Sequence, residues 1–98
     1  MLDLVERIPP GRAMTYGLVA EVLAERLGRG GPRQVGHVLA DSGGAVPWWR
    51  VVNAAGMPPA PYAGEALNQL RAERTPLVAD GTRVALRRAV WWPDDVPD

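Results

Sequence analysis

The chain has 98 residues, enough for one modest core without metal or disulfide support. It contains no cysteine and a single histidine, His37, which excludes disulfides, iron–sulfur clusters, thiolate zinc sites and any sulfur nucleophile. All 11 basic residues are arginine and they balance 11 acidic ones. Zero net charge argues against a sequence-blind DNA coat, while each guanidinium still offers a planar fork suited to phosphates and bases.

Asp3, Glu6 and Arg7 break up the apolar N-terminus before a signal peptide could form, and no apolar run approaches a bilayer span. The expectation is one cytoplasmic, monomeric domain over residues 1–98, with no cofactor, metal or membrane partner. Leu2, Leu4, Val5 and Ile8 predict a short helix, stopped by Pro9-Pro10-Gly11. Ala13-Met14-Thr15 is a brief extended link, with Thr15 placed to cap the next helix. From Tyr16 to about Leu27, Leu18, Val19, Val22, Leu23 and Leu27 recur at helical spacing. Gly28-Arg29-Gly30-Gly31 ends that helix, and Pro32 suits the first position of another, whose inward stripe is Val35, Val38 and Leu39. Two such helices about a Gly-rich turn fit a helix-turn-helix.

An apolar passage from Ala45 to Val52 follows, expected to be partly buried. Asn53-Ala54-Ala55-Gly56 reads as a turn, Met57 to Pro61 as an irregular loop, and Glu65 to Arg74 as a helix with Ala66, Leu67 and Leu70 inward. Alternation on both sides of Asp80-Gly81 predicts a hairpin across Leu77 to Leu86. The expected fold is therefore mainly α with a small β-hairpin, a winged helix-turn-helix-like single domain. The acidic tail, about residues 93–98, is expected to be flexible.

The run Pro47-Trp48-Trp49-Arg50-Val51-Val52 resembles the active-site run of the O6-alkylguanine-DNA alkyltransferases, Pro-Cys-His-Arg-Val followed by Val or Ile. Ile8-Pro9-Pro10-Gly11-Arg12, Thr15-Tyr16-Gly17, Arg33-Gln34-Val35-Gly36, Asn53, Gly56 and Tyr62-Ala63-Gly64 extend the resemblance in the same order, from about residue 4 to 75. Within that family, Trp in place of the nucleophilic Cys marks the alkyltransferase-like proteins. These bind alkylated guanine in duplex DNA through the minor groove, flip it out, and signal nucleotide excision repair without dealkylating it. The chain departs from most members in having Trp49 where they keep His. It also lacks a cation in the 57–61 loop, where some members place an arginine on the lesion. The closing Trp91-Trp92-Pro93 is similar to an aromatic-x-Pro ending in some members.

The resemblance implies a DNA-binding set of Thr15, Tyr16, Arg33, Gln34 and Gly36, and a lesion pocket of Trp48, Val51, Tyr62 and Ala63. Arg33 would enter the base stack and fill the gap left by the extruded nucleotide; the competing explanation is a surface arginine meeting phosphate or solvent. Tyr16 would wedge against the phosphate 3′ to the target, or else be a half-buried core tyrosine. Gly36 is costly in a helix interior, which fits close approach of DNA or of another helix. Trp48 would line the lesion pocket or simply fill core, and core filling is the expectation for Trp49. The Tyr62 hydroxyl would approach O6, and the Val51 carbonyl would accept from the guanine amino group. Glu73 matches the carboxylate that orients the histidine in active enzymes. Without that histidine it is expected to form a structural ion pair, with Arg50 one candidate. His37 is expected on the helix surface near DNA.

No catalytic residue is expected, and the DNA-bound protein would be associated with the nucleoid. The rival reading is a winged-helix regulator reading a fixed sequence in the major groove. The second helix offers Gln34, Gly36, His37 and Ala40 for that task, a thin set for base readout. An enzyme of another kind lacks a carboxylate pair, phosphate loop or metal cluster in the sequence.

Overall fold

The computed structural model describes residues 2–27, 32–41, 44–59 and 62–93; for residues 26, 27, 32–34 and 41 the backbone alone is described. Helix α1 (Leu2–Arg7) buries Leu4 and Val5, and Ile8 is sealed from solvent just beyond its end. The chain reverses through Arg12 N–H to Pro9 carbonyl at 3.1 Å and enters strand β1 (Met14–Thr15). Helix α2 (Tyr16–Leu27) starts at once, because the Thr15 hydroxyl accepts the Leu18 N–H at 2.9 Å, an N-cap. It packs against α3 (Pro32–Asp41), the two sharing Leu18, Val19, Val35 and Leu39 with the α1 residues in one core. Val38, expected inward, is 40% exposed. A ten-residue helix seated on one neighbour buries a narrow stripe, and Val35 with Leu39 one turn on fill it.

A single 3-10 turn, Trp48–Arg50, delivers the chain into strand β2 (Val51–Val52). The strands β1 and β2 run parallel, with Met14 opposite Val51 and Thr15 opposite Val52. Successive strand side chains point to opposite faces, and here that alternation divides the interior. Met14 and Val51 enter the α1–α2–α3 core, while Ala13 and Val52 enter a second cluster with Leu70, Val84 and Ala89. On the far side of β1, Ala13 exchanges backbone hydrogen bonds at 2.9 Å with Ala89 and Trp91, so the C-terminal segment extends the sheet by one bridge.

Helix α4 (Ala63–Ala72) starts and stops two residues earlier than the apolar spacing suggested. Its end is set by backbone geometry: Arg74 adopts φ 63°, the Thr75 N–H returns to the Leu70 carbonyl at 3.0 Å, and Arg74 N–H to Arg71 at 3.0 Å. That is a Schellman stop with arginine where glycine is usual. The hairpin at Asp80-Gly81 is present as one antiparallel bridge, Leu77 to Val84, flanked by hydrogen bonds Val78 to Arg83 and Ala85 to Pro76. It grows no further because the Val78 carbonyl accepts the Gly81 N–H at 2.8 Å on the turn side, Pro76 has no N–H to donate on the other, and Leu86 begins the short helix α5 (Leu86–Ala89). The result is a mostly helical domain with a small two-stranded parallel sheet.

Candidate nucleic-acid interface

One concavity of about 420 Å³ opens where α2, α3, the 3-10 turn and α4 meet. Its wall is Tyr16, Gly36, Leu39, Ala40, Gly44, Trp48, Pro59, Tyr62 and Glu65. The volume lies within the range of small-ligand sites. Tyr16 reaches it because the Thr15 cap starts α2 at the cavity edge, and burial pushes the Tyr16 phenol above its ordinary pKa. Tyr62 stands immediately before α4 and is 58% exposed. Its ring meets Trp48 edge-on at 6.0 Å, and Trp48 meets Trp49 edge-on at 5.8 Å. Such contacts are each worth about 0.5–1.5 kcal/mol beyond burial, so the rings brace one another.

Of the sequence-derived residues, Tyr16, Gly36, Trp48 and Tyr62 converge on this wall. Thr15 acts as the α2 cap and does not line the cavity. Val51 is fully buried in β2, and Ala63 is the half-buried first residue of α4; neither belongs to the wall. The side chains of Arg33 and Gln34 lie outside the described residues, their backbone being in α3. At Gly36 an added Cβ would meet no atom of the described residues within 4 Å, so no described neighbouring helix explains the glycine. His37 is exposed on the same helix. Leu39 was expected inward and Ala40 on the face open to base readout; Gly44, Pro59 and Glu65 were not singled out from the sequence. For Glu65 the usable signal was its place one helical turn after Tyr62.

Behind the ring pair sits a polar cluster. The Trp49 indole N–H donates to Glu73 Oε2 at 3.0 Å, and Arg50 Nε donates to Glu73 Oε1 at 3.0 Å. Arg50 Nη2 pairs with Glu73 Oε2 at 2.5 Å, and Nη1 donates to the Ile8 carbonyl at 2.8 Å. The Arg50 guanidinium also lies 5.5 Å from the Trp49 ring centroid. Burial opposes charge on Glu73, but the Arg50 and Trp49 hydrogen bonds, the Arg50 charge and the Gly11 N–H outweigh it, leaving the carboxyl below its ordinary value. Trp49 is therefore more than core filling, and the expected pairing of Glu73 with Arg50 is present.

A larger, shallower depression of about 640 Å³ runs past Asp3, Glu6, Arg7 and residues 44–50, and holds none of the residues expected at the site. Among the described residues no His, Asp or Glu group is arranged to hold a metal ion, and no helix is long and apolar enough to cross a membrane.

The sequence family of the 6-O-methylguanine DNA methyltransferase DNA-binding domain matches residues 1–75, and the chain belongs to that family. Among solved structures the chain is similar to S. pombe ATL in complex with DNA, with 26% identity and a TM-score of 0.72 over 94% of this chain and 91% of that one. It is similar also to S. pombe Atl1 in complex with damaged DNA containing O6-carboxymethylguanine, with 28% identity and a TM-score of 0.71 over the same shares. No curated protein matches the chain.

Proposed function

We propose that this protein is a non-enzymatic sensor of O6-alkylguanine in duplex DNA. It approaches the minor groove, turns the damaged nucleotide out of the stack and holds it in the cavity walled by Trp48 and Tyr62. It then leaves the alkyl group in place for nucleotide excision repair. The observation that carries this reading is the convergence of Tyr16, Gly36, Trp48 and Tyr62 on one concavity in a domain of this DNA-binding family. The likeness to a protein solved on O6-carboxymethylguanine DNA supports the choice of ligand. The chemistry agrees: alkyl transfer needs a sulfur nucleophile, and the chain has no cysteine.

Flipping a base costs a few kcal/mol, least for a weakly paired one, and aromatic stacking returns about 1–3 kcal/mol per base. An O6-alkyl group weakens pairing and adds apolar surface, so an aromatic-walled site favours it on both counts. The protein would act as a cytoplasmic monomer, on the nucleoid when bound.

The test compares gel shifts of matched duplexes carrying guanine or O6-methylguanine, followed by intact-mass measurement of the recovered protein. The sensor reading expects preferential binding and an unchanged mass. Equal affinity for the two duplexes, or a gain of one methyl group by the protein, would refute it. Tyr16→Ala and Arg33→Ala are each expected to weaken lesion binding while circular dichroism stays native.

A further inference from the structure

The cavity that would receive the base has one ionisable carboxylate in its wall, Glu65, and no cation lines it among the described residues. Glu65 stands in the first turn of α4, three residues after Tyr62, and is exposed to the cavity mouth. It has no ion-pair partner among the described residues. The only basic residue of α4, Arg71, is turned away, donating to Asn68 and to the Gly81 carbonyl. Residues 57–62, which bring the chain past Pro59 to Tyr62, include no basic residue. The remaining wall is aromatic, aliphatic or glycine.

From this arrangement we infer that the site selects uncharged O6-alkyl groups and discriminates against anionic ones, with Glu65 as the residue that sets the preference. The inference rests on the sensor reading above and narrows it to a substrate class. A carboxymethyl group on O6 would bring a second carboxylate into a cavity already holding Glu65, with no described cation to neutralise either. With Glu65 exposed at the cavity mouth, a separation of about 6 Å and an effective dielectric of about 40 make that repulsion worth roughly tenfold in affinity. The S. pombe Atl1 structure shows that a protein of this fold can be bound to DNA containing that anionic lesion. The discrimination is thus a property of this chain's wall, not of the fold. Glu65 also repels phosphates to some extent, so its removal should strengthen binding to every duplex a little. The diagnostic quantity is therefore a ratio between lesions.

The experiment measures binding, by fluorescence anisotropy, of native protein and the Glu65→Gln variant to four matched duplexes. These carry guanine, O6-methylguanine, O6-carboxymethylguanine or its neutral isostere O6-carbamoylmethylguanine. Native protein is expected to bind the carboxymethyl lesion roughly tenfold more weakly than the carbamoylmethyl one, and Glu65→Gln to close most of that gap. A Glu65 that served only to stabilise the N-terminus of α4 would shift the melting temperature and leave the ratio alone. Equal native affinity for the two isosteres, or a gap that persists in Glu65→Gln, overturns the inference while the sensor reading survives on the methyl-to-guanine preference. Loss of that preference itself would take down both.

Discussion

Trp48 and Trp49 are chemically identical neighbours with different tasks, and the difference comes from the 3-10 turn that carries them. Trp48 faces the cavity while packing on the α1–α2–α3 core; Trp49 packs on the second cluster and gives its N–H to Glu73. Introducing sulfur alone should therefore not introduce alkyl transfer. Trp48→Cys is expected to leave O6-methylguanine intact, because the adjacent indole is no base and the Glu73 carboxylate is already held by Arg50. Transfer of a methyl group to that variant, seen by intact mass, would contradict this account. Gly36 offers a cleaner separation of fold from function. With open space at its Cβ, Gly36→Ala should stabilise α3 by about 0.5–1 kcal/mol in thermal unfolding. The same methyl should weaken DNA binding if the glycine exists to admit a strand. Rising stability with unchanged affinity would remove Gly36 from the interface.

At the scale of elements, the end of α4 shows how a strained backbone residue positions a structural carboxylate. The left-handed Arg74 stops the helix so that Glu73, its C-cap, meets Arg50 and Trp49. Arginine is poorly suited to that conformation, so Arg74→Gly is expected to gain about 0.5–1 kcal/mol in denaturant unfolding. Removing the carboxylate has the opposite effect. Glu73→Gln leaves the Arg50 charge half-buried and unmatched, at an expected cost of about 2–3 kcal/mol near neutral pH. The sign of the pH dependence follows from the lowered pKa of Glu73. Its contribution is complete above the unfolded carboxyl pKa of about 4.3 and is lost as pH falls through the lower folded value. Native and variant melting temperatures should therefore converge in acid and stay apart above about pH 5. Much of this scale was legible in the sequence. Thr15 as a cap, the limits of α2 and the start of α3 follow from local chemistry that the structure repeats. The parallel pairing of β1 with β2 was not legible, because two-residue strands contain no alternation to read and their partners lie far apart in the chain. The hairpin was legible at its turn but not in its extent, since the Val78 carbonyl that a further pair would need accepts the Gly81 N–H within the turn.

Over the whole molecule, the short sheet is a seam between two apolar clusters, and the residues that close it are far apart in sequence. Gly56 is the tightest of these closures: at φ 89° it turns the chain after β2, and an added Cβ would overlap the Val84 carbonyl. Gly56→Ala should therefore lower stability by about 3 kcal/mol or more, loosening the second cluster and the hairpin together. The overall charge bears on binding in a similar way. Several arginines are committed internally: Arg12 to the Ala89 and Val90 carbonyls, Arg50 to Glu73, and Arg71 to Gly81. The other eight arginines are offset by eleven acidic residues, so a net charge of zero weakens long-range attraction to phosphates. Each neutralised phosphate contributes about −0.9 to the slope of log affinity against log salt, so the slope reports how many phosphates the protein contacts. Stacking and shape in the cavity are much less sensitive to salt. A titration with matched guanine and O6-methylguanine duplexes should thus show unmodified DNA released first, with lesion preference persisting after that binding is gone. If both curves fall in parallel with a steep slope, recognition is dominated by backbone charge, and the cavity contributes little to the choice of DNA.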